Sequence, residues 1–72
     1  LLLQWIGSPS ANYLVDYLDN PRGSNTTYTP VTDPERITPV SENRIGYLDD
    51  GSGTGLPPGD VGTRLYRVRA FP

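Results

Sequence analysis

No window of this chain places apolar residues at i, i+3, i+4 and i+7, and glycine or proline interrupts it at short intervals, with eight of each in 72 residues. Seven threonines accompany them and good helix formers are scarce. Proline cannot donate a backbone hydrogen bond and glycine weakens a helix interior, so a helical bundle is excluded. Short strands joined by turns remain, and the expected fold class is all-β.

Residues that alternate between two faces mark the strands. Leu1, Leu3 and Trp5 share one face and Leu2, Gln4 and Ile6 the other, until Gly7-Ser8-Pro9-Ser10 ends the run. Tyr13, Val15 and Tyr17 then alternate with Leu14, Asp16 and Leu18, up to a break at Asp19-Asn20-Pro21-Arg22-Gly23. From Asn25 to Val40, Pro30, Pro34 and Pro39 restrict the chain to short or edge strands. Arg44 to Leu48 reads as a fourth strand, Asp49 to Pro58 as a long loop, and Thr63 to Phe71 as a fifth and most regular strand. The expected core is Leu3, Trp5, Tyr13, Val15, Tyr17, Ile45, Tyr47, Tyr66, Val68 and Ala70.

Residues 1–72 are enough for one small domain, whole or partial, with thin stability. With no Cys and no His, neither a disulfide nor a zinc site of the usual ligands can reinforce it. Packing against other chains is the remaining source. The chain carries no Lys either, so the usual general base, thiol nucleophile and Schiff-base amine are all missing, and no enzyme is expected. A pair such as Asp16 with Asp19 could in principle serve acid/base chemistry, but pairing with Arg67 and Arg69 across the sheet is the stronger expectation. The net charge of −2, and arginines that do not form a stripe with aromatics, argue against nucleic acid as a partner. No run is long enough to span a membrane or serve as a signal h-region.

The order of Leu1, Leu3 and Trp5, then Tyr13, Val15, Tyr17 and Asp19, then Tyr66-Arg67-Val68-Arg69-Ala70 resembles strands B, C and F of fibronectin type III and related immunoglobulin-like sandwiches. Pro58 to Ala70, PGDVGTRLYRVRA, is similar to the loop and F strand of such modules in large secreted bacterial surface proteins. The resemblance implies a small antiparallel sandwich, with Trp5 between the sheets and Tyr66 locking the start of strand F as a tyrosine corner does. Such a domain usually needs ~100 residues. Here the matching strands run only from B to F, so terminal strands A and G are expected to be missing. The resemblance also implies an extracellular or cell-surface location.

Missing terminal strands would leave edges that invite pairing with another chain. Leu2, Ile6, Leu14, Leu18, Leu65 and Phe71 fall outside the expected core and form the candidate assembly set. The first expectation for function is an extracellular structural subunit that assembles with copies of itself, by β-strand complementation, into a filament or surface layer. The alternative is an accessory module of a larger secreted protein that binds carbohydrate or a cell surface, with Tyr28 as its main aromatic candidate. A phage or virus fibre domain fits the composition equally. Asn25-Thr26-Thr27 is a glycosylation sequon, the reason to consider a glycoprotein. Asp49 and Asp50, with Asp60 folding back, are a weak Ca²⁺ candidate whose spacing does not match an EF-hand; no other cofactor is expected.

Overall fold

The computed structural model describes residues 1–21 and 27–71. Its strands are β1 (Leu2–Ile6), β2 (Asn12–Asp19), β3 (Thr29–Pro30), β4 (Thr38–Ser41), β5 (Arg44–Leu48) and β6 (Arg64–Phe71), with 3-10 turns at Pro34–Arg36 and Pro58–Asp60. They form two three-stranded antiparallel sheets, ordered β1-β5-β4 and β3-β2-β6. The all-β expectation therefore holds, in a sandwich-like arrangement. Among the described residues no helix is long and apolar enough to cross a membrane.

The two sheets meet over Val15, Val31 and Tyr47, with Leu3, Trp5, Tyr17, Ile37 and Tyr66 packed around them. Ile45 is buried as expected, and the Trp5 and Tyr13 rings meet edge to face at 5.7 Å. Val31 and Ile37 join the core from the proline-rich segment. Prolines prevent a long ladder there but do not stop a residue between them from pointing inward. Val68 and Ala70, expected in the core, are exposed. They lie on the inner face of β6, the outermost strand of its sheet, where no further strand of the described residues covers them.

Leu18 corrects the expectation that it faces water: it is 6% exposed. Because β2 is the central strand, its outer face is covered by neighbours, with Leu65 directly opposite Leu18 and two arginines beside Asp16.

The β5–β6 loop is held against the core by close contacts at glycine. A Cβ on Gly53 would collide with Asp33 Oδ1 and the Tyr47 hydroxyl, and Gly51 has φ +93°, a region costly for other residues. The Gly53 carbonyl accepts the Thr32 amide at 2.9 Å, and Tyr47 donates to Asp33 Oδ1 at 2.7 Å. Burial, with the Asp33 carboxylate beside it, raises the pKa of the Tyr47 hydroxyl.

Candidate functional site

Each sheet has one blocked edge and one open edge. The Val31 amide bonds the Val15 carbonyl, so the alternation of an antiparallel ladder turns the nitrogen of Pro30 away from β2. On β4, Thr38 faces Gly46 of β5, so Pro39 likewise lies on the solvent side. These edges are short, and at Pro30 and Pro39 they lack a donor, as protected edges do.

The opposite edges lack such protection. The Gly7 amide bonds the Asn43 carbonyl and the Asp49 amide the Leu1 carbonyl, so the odd residues of β1 pair with β5 while Leu2, Gln4 and Ile6 direct N–H and C=O outward. On β6, the Asn20 amide bonds the Thr63 carbonyl, and continuing that alternation leaves Arg64, Tyr66, Val68 and Ala70 facing outward. Neither strand contains proline, and β6 is eight residues long.

Of the candidate assembly residues, Leu2, Ile6, Leu65 and Phe71 are exposed, Ile6 by 79%. Leu14 is half-buried and Leu18 is buried. Exposed apolar side chains thus accompany both open edges.

Asp16 and Asp19 are each committed to arginines. Asp16, fully buried, accepts Nε and Nη2 of both Arg67 and Arg69 at 2.6–3.0 Å. Burial alone would raise the Asp16 carboxyl, but these hydrogen bonds outweigh it and hold the pKa below the ordinary value. Asp19 faces inward and pairs with Arg64. Asp16 and Asp19 therefore occupy opposite faces of the sheet and do not converge as an acid/base pair.

Asp49 is the second hub. Its carboxylate accepts Arg64 Nη1 at 3.0 Å, the Tyr66 hydroxyl, the Thr54 hydroxyl and the Gly51 amide. Burial again opposes ionisation, yet the bonds from Tyr66, Arg64, Gly51 and Thr54 hold Asp49 low. Burial and the bond to Asp49 push Tyr66 up to about 12. Tyr66 does anchor the start of β6, but on a carboxylate side chain rather than on backbone. Asp50 is bound separately, by the Ser52 amide and by Arg36 at 3.4 Å, and Asp60 lies exposed in the second 3-10 turn. The three carboxylates proposed for Ca²⁺ do not gather; among the described residues no group of three or more His, Cys, Asp or Glu is placed to hold a metal ion.

Tyr28 carries the Arg67 guanidinium over one ring face, 4.5 Å from the ring centre. Asn25 lies outside the described residues. A cleft of about 530 Å³ opens between Tyr13, Leu14, Ile37, Pro39, Ile45 and Phe71. Among the described residues Glu35 is the one carboxylate that lines it.

Sequence reasoning missed Arg64 and the placement of Asp49. Both were accessible from parity: Arg64 shares the inner face with Tyr66, and Asp49 follows Ile45 and Tyr47 on theirs. Comparison with protein-family models, curated proteins and solved structures returned no match.

Proposed function

We propose that this chain is a non-catalytic, extracellular structural subunit on an immunoglobulin-like sandwich, associating with copies of itself by strand complementation into a filament or surface layer. The observation that carries the reading is the contrast between edges. Two edges are short and carry proline where a donor would point outward; the other two direct complete rows of donors and acceptors outward, beside exposed Leu2, Ile6, Leu65 and Phe71. Strand order supports the sandwich type. If β1, β5 and β4 correspond to strands B, E and D, and β3, β2 and β6 to C′, C and F, then A and G belong outside β1 and β6, where the open edges lie.

Electron microscopy and sedimentation of the native material test this, with the intact mass of the dissociated chain. Ordered polymers are expected, and they should disappear in both Gln4→Pro and Ala70→Pro. Each substitution removes an outward donor without removing a ladder bond inside the chain. A monomeric chain, or polymers unchanged in both variants, refutes the reading. The alternative, an accessory carbohydrate- or surface-binding module, has less behind it because Arg67 already covers one face of Tyr28.

A further inference from the structure

We infer that the β6 edge receives an extended partner segment of alternating apolar and carboxylate side chains, the carboxylates lying beside Arg67 and Arg69. The inference rests on the strand-addition reading and specifies the chemistry of the β6 occupant, which is a segment other than the β1 or β6 strand of a copy, since neither carries a carboxylate.

Backbone geometry sets the alternation. The residues of β6 that direct N–H and C=O outward are Arg64, Tyr66, Val68 and Ala70, and their side chains lie on the inner face. Residues of an added strand directly opposite them share that face. Val68 and Ala70 are exposed there, so apolar partner side chains would cover them. The partner residues in between fall on the outer face, next to Arg67 and Arg69.

Charge then selects the partner. Among the described residues two guanidinium groups share one carboxylate, Asp16, an excess of one positive charge at this cluster. Both side chains are about half exposed, at 48% and 46%. Asp16 takes Nε and Nη2 of each, and the stack on Tyr28 fixes Arg67 in place. A carboxylate arriving here meets donors that are already oriented.

The same charges disfavour a second β6 as the occupant. Antiparallel pairing of two copies centred on Val68 sets Arg67 of each beside Arg69 of the other, on one face, where like charges destabilise. The β1 edge, carrying Leu2, Gln4 and Ile6, has no charge to select with.

The test uses three short peptides on one Val/Thr strand framework, with Glu, Gln or Lys at the alternate positions. Each is titrated into the isotope-labelled 72-residue chain, diluted below the concentration at which it assembles, and into its Ala70→Pro variant, followed by amide NMR. The Glu peptide should bind roughly fivefold tighter than the Gln peptide at low salt, with the difference shrinking as salt rises. The Lys peptide should bind weakest, shifts should centre on Arg64 to Ala70, and Ala70→Pro should abolish binding. Equal or reversed ranking, or binding that persists in Ala70→Pro, overturns the inference while leaving strand addition standing. Failure of all three peptides overturns it too; if the chain is also monomeric, the strand-addition reading falls with it.

Discussion

Asp16 stays charged in a buried position because two arginines lie across it, and this couples the outer face of β6 to pH. Its folded pKa is depressed, so the stability it contributes is present above the ordinary value of 3.8 and is lost as pH falls below it. Asp49 follows the same sign. The chain should therefore lose urea resistance on acidification below about pH 4. Asp16→Ala should remove much of that dependence and cost about 1–3 kcal/mol at neutral pH, at the lower end because both guanidinium groups can rehydrate. A second residue-scale test compares two glycines. Gly53→Ala drives a methyl into Asp33 and Tyr47 and should cost about 1–3 kcal/mol, whereas Gly59→Ala meets nothing within 4 Å and should leave the melting temperature within a degree or two. Equal effects at the two positions would remove the close-packing explanation for Gly53.

At the scale of the strands, β1, β2, β5 and β6 were legible because their residues alternate with period two and turn residues bound them. The β3–β4 region was legible only as a short, edge-forming segment. Its core residues, Val31 and Ile37, sit singly between prolines and turns, with no alternation to reveal their direction. Leu18 shows a different limit: a face that alternation assigns to water is covered when the strand turns out to be central, and centrality depends on partners far along the chain. That β1 and β6 lie at sheet edges was expected from the sequence, but the side on which each strand bonds comes only from register. That register gives an element-scale prediction. In the isolated chain the amides of Gln4, Ile6, Tyr66, Val68 and Ala70 should exchange with solvent rapidly, while those of Leu3, Trp5, Arg67 and Arg69 are protected. Assembly should protect the first group as well; hydrogen exchange of monomer and polymer would show it.

For the whole molecule, the core is small and the ionisable network correspondingly weighty. Tyr66 and Tyr47 both hold their protons more tightly than free tyrosine, Tyr66 up to about 12. A raised folded pKa means that their contribution is complete below the ordinary value of 10.0 and is lost as pH climbs toward 12. Alkaline unfolding should therefore set in above about pH 10, and Tyr66→Phe should blunt its pH dependence. Circular dichroism across that range checks both statements.

Arg64 also determines how the molecule would respond to tension. It bonds Asp19 of its own sheet and Asp49 at the end of β5 in the other, with its side chain 2% exposed. Load entering at Leu1 and leaving at Phe71 passes into one sheet and out of the other, because β1 and β6 share no hydrogen-bond ladder. Load crossing between the sheets is then carried by their apolar contact and by the Arg64 and Tyr66 links to Asp49, in series with the β1–β5 and β2–β6 ladders. A chain loaded through its two ends should consequently yield more readily when Arg64→Ala or Tyr66→Phe removes a link between the sheets, which single-molecule pulling would show. The same domain loaded through a strand paired along β6 should hold to much higher force.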